Sequence, residues 1–304
     1  MKVKPRCSIC LLKRAWQEIQ LSTDSKVLQF KVLKAVIHLF AQKFHENAVP
    51  AILGTKRDRL IRKMTNCQDP YKEHKIKSNK IALQLAKTLE TTLKSENNIY
   101  KRFRFAMLGA IVGNILEFDI LEHSIDLEKP DYLQELITNA EYDLAIDHIE
   151  KIFHLVQVKK EVLFLTDNAG EIVFDKLLIL ELLNLGVQVI VAVKESPVMN
   201  DATMEDAEVS GLIELSQKDS HLDIITTGSN HVGLLLNEIS DGFRPYFENT
   251  KLIIAKGMGY YETLAENSFH KPIVHLFRTK CSSVAEDVKV KIGQNVALLR
   301  NADN

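Results

Sequence analysis

After about Lys159 the chain changes its spacing of apolar residues, and that change limits the folds open to it. Short β-branched runs then alternate with helical stretches: "EVLFLT", "GVQVIVAVK", "LDIITTG", "KLIIAKG" and "PIVHLFR". Four of these runs show little alternation of polar and apolar residues, which predicts strands covered on both faces of a parallel sheet. Strands alternating with helices predict a doubly wound α/β layer. From about Ser8 to Ile152 the apolar residues instead recur every three or four positions, as in "CLLKRAWQEIQLS" and "KVLQFKVLKAVIHLFAQKF", which predicts helix after helix. "SNKIALQLAKTLETTLKSE" opens on a Ser-Asn pair suited to capping, and "YKRFRFAMLGAIVGNILEFDI" is apolar enough for a buried helix. The expected division is a helical domain over 1–158 and an α/β domain over 159–304, packed closely because no Pro- or Ser-rich linker separates them.

Bulk properties narrow the function classes. The 39 basic and 40 acidic residues nearly cancel, so there is no global pull toward nucleic acid or an anionic membrane, and neither is expected as a partner. No apolar run approaches the roughly 18 residues of a membrane span, and "MKVKPRCSIC" lacks the apolar stretch of a secretory signal. Four cysteines in 304 residues do not make a disulfide scaffold, so a cytoplasmic setting is expected. Cys7 and Cys10 form a C-x₂-C pair that would need Cys67 and Cys281, or a histidine, to complete a zinc site; the plainer reading is small buried apolar residues on a helix. The basic stretch "KRDRLIRK" reads as a solvated helix face. The oligomeric state leaves no mark.

The ends of the five runs carry the chemistry. In an open parallel sheet, ligands sit at the carboxyl ends of the strands. The first run is followed by Asp167 and Asn168, and the second by a loop holding Asn200 and Asp201. The third ends at Gly228, Ser229 and Asn230, the fourth at Lys256, and the fifth at Arg278 and Lys280. Taken singly, "DNAGE" is an ordinary N-cap and "NDAT" an ordinary turn. Five polar ends on one rim point instead to a site. Two carboxylates and an amide oxygen form a hard, all-oxygen set suited to Mg²⁺ or Mn²⁺ and tolerant of other divalent ions. Lysines nearby, with backbone N–H groups around Gly170 at a helix start, suit a phosphate. The combination predicts phosphoryl transfer, or hydrolysis if water enters.

These residues also resemble a known family. "LTDNAGEIVFDKLLI", "PVMNDATMEDA", "TTGSN", "KGMGYYE" and "RTKC", in this order, resemble the damage-control phosphatases, long catalogued as domain of unknown function 89. "CSIC", "DPYKEHKIKSN" and "GAIVGNILEFDI" resemble its prokaryotic branch, so the likeness spans almost the whole chain. It implies a helical domain packed on a Rossmann-like sheet, and a metal-dependent phosphatase acting on a small phosphorylated metabolite. Carried over, the metal ligands are Asp167, Asn168 and Asp201, with Mg, Mn, Co or Ni as the ion. Lys256 would hold the phosphate and Asn114 would reach in from the helical half. Glu117, Gly228, Ser229 and Lys280 complete the expected substrate side, and Asp167, Asp201 and Lys256 the catalytic set. The chain departs from the family pattern at Tyr260, where relatives tend to have Asn, and at Glu117, where they tend to have Asp. Sugar phosphates and damaged or phosphorylated cofactor precursors fit this rim. Two other classes remain open: a metabolite-binding regulator without turnover, and a nucleotide- or S-adenosylmethionine-binding transferase. Against the latter, "DNAGE" has one glycine where a dinucleotide loop needs G-x-G-x-x-G.

Overall fold

The computed structural model describes residues 1–122 and 132–301, with side chains over 1–113 and 135–301. Six helices come first: α1 (Cys7–Ser22), α2 (Lys26–Lys43), α3 (Pro50–Thr65), α4 (Lys72–Ser95), α5 (Ile99–Glu122) and α6 (Tyr132–Tyr142). Local chemistry sets their starts: Pro50 opens α3 where an N–H would lack a partner anyway, and the Ser25 hydroxyl accepts from Leu28 N at 3.4 Å ahead of α2. Strand and helix then alternate: β1 (Leu144–Asp147), α7 (Ile149–Lys159), β2 (Glu161–Leu165), α8 (Glu171–Asn184) and β3 (Gln188–Val193). The chain continues through α9 (Met204–Val209), α10 (Leu212–Lys218), β4 (Leu222–Thr226), α11 (Arg244–Asn249), β5 (Ile253–Lys256), α12 (Gly257–Leu264), β6 (Ile273–Arg278), α13 (Ser282–Asp287) and β7 (Asn295–Arg300).

The seven strands form one sheet in the order β1-β7-β6-β5-β2-β3-β4. β6 and β7 pair antiparallel, and the other neighbours are parallel. All five runs named in the sequence are strands. In β2, Val162 and Phe164 join the apolar cluster shared with α5 and α8, while Leu163 and Leu165 join the cluster of Phe243, Phe247 and Tyr260 on the opposite face. Each strand residue thus has a dry partner, which is why the run does not alternate.

The sheet has two strands that the apolar spacing did not announce, β1 and β7. β1 is four residues long with every second one exposed, and it lies before residue 158, so the mainly helical half supplies a strand. Its support comes from β7, about 150 positions later, and such a strand has no local signature.

The helical half meets the sheet through α5 against α8. Their approach depends on Gly113: a Cβ there would lie 2.9 Å from the Phe174 ring and 3.3 Å from the Glu171 Cα. No described helix is long and apolar enough to cross a membrane.

Candidate active site

The strand order reverses between β2 and β5, since β2 is followed by β3 on one side while β5 lies on the other. Such a switch point opens a crevice at the carboxyl ends of the strands. Asp167 and Asn168 follow β2 there, and two backbone hydrogen bonds tie them to the loop after β3. Ala202 N donates to Asp167 O at 2.7 Å, and Ala169 N donates to Asn200 O at 2.9 Å. Asn168 and Asp201 form an isolated antiparallel bridge. The two motifs, some thirty residues apart in sequence, are therefore stitched together through their main chains.

Asn168 donates from Nδ2 to Asp167 Oδ2 at 3.0 Å and to Glu171 Oε2 at 3.1 Å, which leaves its Oδ1 as the acceptor. Asp201 is buried, and its Oδ2 has no hydrogen-bond partner among the described residues. Lys194 Nζ lies 3.5 Å from that oxygen. The same ammonium donates to Gly233 O at 2.6 Å and to the Tyr260 hydroxyl at 3.1 Å. Tyr260 is thus fully buried as a partner of Lys194.

Electrostatics mark the acids as crowded. Burial, then the neighbouring charges of Glu171 and Asp201, push the Asp167 carboxyl well above the usual carboxylate range, with Lys280 and Lys256 opposing. Burial pushes Asp201 up to about 6 although Lys194 pulls it down. Desolvated acids that resist ionisation, one with an oxygen lacking a hydrogen bond among the described residues and met only by a lysine at 3.5 Å, form a donor set that a cation would satisfy. Among the described residues no three His, Cys, Asp or Glu side chains converge on one ion position.

Lys256, expected on phosphate, is wholly buried. Its Nζ donates to Ala110 O at 2.9 Å, to Asp175 Oδ1 at 2.6 Å and to Glu171. Three acceptors use all three protons of an ammonium. Burial pulls the Lys256 pKa down, but Asp175 and Glu171 outweigh it and hold the amine protonated. Lys280 follows β6, and its charge acts on Asp167. Arg278 instead pairs with Asp143 Oδ2 at 3.0 Å and Asn295 Oδ1 at 3.1 Å, beside β1 and β7. Gly228, Ser229 and Asn230 line a cleft of about 310 Å³ with Arg59, Glu195, Ser196 and Glu238, and the buried Ser229 Oγ has no hydrogen-bond partner among the described residues. Asn114 and Glu117 lie outside the residues whose side chains are described.

Several neighbours escaped the sequence reading. Asn79 of α4, inside the quoted "DPYKEHKIKSN", accepts from Gly170 N at 2.6 Å and donates to Asp206 Oδ1 at 2.8 Å. It occupies a backbone N–H at the start of α8 that phosphate had been expected to use. Lys194 had one signal, a lysine ending an otherwise apolar strand. The "KRDRLIRK" stretch is not a solvated face: Arg57 and Asp58 are buried, and Arg59 donates to Asn230 Oδ1 and Glu238 Oε2 across the halves. Its charges pair with loops of the sheet edge, and spacing within one helix cannot reveal such partners. Cys7 is buried with its Sγ 3.4 Å from the Ser283 Oγ, Cys10 is exposed, and Cys67 and Cys281 are partly buried; all four are free thiols.

The damage-control phosphatase ARMT1-like domain matches residues 3–296. An uncharacterized protein of Methanocaldococcus jannaschii is 37% identical over 304 residues, covering 99% of this chain and 96% of that one. A damage-control phosphatase of Archaeoglobus fulgidus is 32% identical, covering 98% and 99%, and one of Pyrococcus horikoshii is 32% identical, covering 98% of each chain. The crystal structure of a family 89 protein from Pyrococcus horikoshii superposes with a TM-score of 0.87 at 30% identity, covering 98% of this chain and 99% of that one. The chain belongs to the damage-control phosphatase ARMT1-like family.

Proposed function

We propose that this chain is a metal-dependent phosphatase of small phosphorylated metabolites, with its centre at Asp167, Asn168 and Asp201. The observation that carries the reading is the pair of main-chain hydrogen bonds joining the two acidic loops at the switch point. A divalent ion held by these three residues would neutralise charge on the phosphoryl oxygens. Lys280, already close enough to act on Asp167, is the cation best placed for the phosphate. The metabolite's organic part would enter the 310 Å³ cleft, which Arg59, Asn230 and Glu238 line with polar groups. Hydrolysis breaks the bond from phosphorus to the metabolite oxygen and forms one to water oxygen, with the leaving oxygen taking a proton. The carboxylate cluster orients that water.

Phosphate release should vanish when the protein is stripped by chelator and return when Mg²⁺, Mn²⁺, Co²⁺ or Ni²⁺ is added back singly against a metabolite panel. Full turnover in excess chelator, after verified removal of metal, would sink the mechanism. A protein that binds metabolites but never releases phosphate would be a regulator instead.

Gly257 supplies a second expectation. It follows Lys256 with φ +80°, and a Cβ there would lie 1.8 Å from Asp167 Oδ2. Gly257→Ala should displace the Asp167 carboxylate and cost about 1–2 kcal/mol of stability from the left-handed backbone alone. Metal titration and thermal melting of the variant check both parts. Parent-like affinity would mean that Asp167 does not bind metal from this position.

A further inference from the structure

The turn that delivers Asp201 is held by the helical half. Asp201 N donates to Val198 O at 3.1 Å, closing a four-residue turn over Val198, Met199, Asn200 and Asp201. Met199 is the second residue of that turn and has φ +47°. Turns with positive φ at this position are dominated by Gly, Asn and Asp, because a Cβ crowds the backbone there. Methionine has none of their advantages, so something outside the turn must hold it.

That support comes from α3. Asp58 Oδ1 accepts from Met199 N at 3.0 Å. Arg57 Nη2 lies 3.3 Å from the Met199 sulfur, and Arg62 donates to Pro197 O. The Met199 side chain packs with Tyr71, Val198 and Val232. Arg57 is fixed in turn by Glu18 of α1, Nε to Oε2 at 2.9 Å, with both groups buried. A buried salt bridge adds little stability once desolvation is counted, but it fixes geometry. Here the fixed geometry ends two residues before a proposed ligand.

We propose that Asp58 is a positioning residue: by accepting the Met199 N–H it keeps the turn in its left-handed form and so places the Asp201 carboxylate for metal. The inference rests on the metal reading given above. It assigns the helical half a task in metal binding, separate from any contact with substrate.

The test is calorimetric titration of the whole chain with Mn²⁺ alone, alongside circular dichroism to confirm the fold. Asp58→Ala should weaken affinity about ten- to hundredfold, the usual cost of losing a group that orients a ligand. Asp58→Asn keeps an acceptor oxygen and removes the charge, and should stay near the parent. Met199→Pro forbids positive φ and deletes the N–H while leaving every residue of α3 unchanged, although Arg57 loses the sulfur beside it, so it should lose affinity even if Asp58→Ala fails to fold. Parent-like affinity in Asp58→Ala or Met199→Pro overturns the proposal, as does an Asp58→Asn variant as weak as Asp58→Ala. A parent chain that binds no Mn²⁺ overturns the metal reading and this proposal together, whereas Mn²⁺ binding that needs Asp201 and ignores Asp58 overturns this proposal alone.

Discussion

Asp201→Ala is expected to remove metal-dependent phosphate release while leaving the protein folded. The fold should survive because the groups around Asp201 have other partners. Lys194 loses its carboxylate partner at 3.5 Å but keeps Gly233 O at 2.6 Å and the Tyr260 hydroxyl at 3.1 Å, so its ammonium still has two acceptors. The loop keeps its main-chain bonds to Asp167 and Ala169. Asp201 has its pKa raised by burial to about 6, so folding disfavours its ionised form. The sign follows: the folded chain holds this proton more tightly than the unfolded chain does, so stability falls as pH rises through the interval. In the alanine variant, relief of that penalty offsets the loss of the Lys194 pair, so in chelator at pH 7 it should melt close to the parent. Its turnover should drop at least 10²- to 10³-fold, by analogy with loss of one transition-state stabilising group. Unchanged metal affinity would remove Asp201 from the ligand set, and a large fall in melting temperature would make it structural.

Four of the five strands read from the sequence were legible because burial on both faces writes itself into composition; β4, at the sheet edge, was legible from its β-branched residues. So were the rim acids, since a strand that ends in Asp-Asn or leads to Asn-Asp signals its own position. The residues that organise the rim were not. Asp58, Arg57 and Asn79 sit on helices whose local pattern reads as solvated or merely capped, and their partners are 39 to 142 positions away. A charged residue next to other charges looks exposed unless its partner is known. β1 and β7 were hidden for the same reason: each is completed by pairing across the chain. Motifs thus reported the groups that would meet a ligand, and packing reported what holds them there.

Lys256 shows the difference most sharply, because its place at the carboxyl end of β5 fitted a phosphate cation. Lys256→Met is expected to destabilise the fold by about 3–5 kcal/mol, the usual cost of stripping one partner from a buried ion pair. Glu171 and Asp175 are both fully buried and would lose their cation, and Asp175 Oδ2 already has no hydrogen-bond partner among the described residues. The Ala110 carbonyl on α5 would lose its donor as well, loosening the seam between the halves. The loss should also depend on pH. Burial raises Asp175 to about 7 even with Lys256 beside it, and without the ammonium its pKa must climb further. An acid that stays protonated in the folded chain but ionises on unfolding costs stability as pH rises above its unfolded value, about 3.9. The gap between variant and parent should therefore widen from pH 5 to pH 7. Urea unfolding at both values measures it. If the variant were as stable as the parent and lost only affinity for inorganic phosphate, Lys256 would face the substrate after all, and its three contacts here would have to open when phosphate binds.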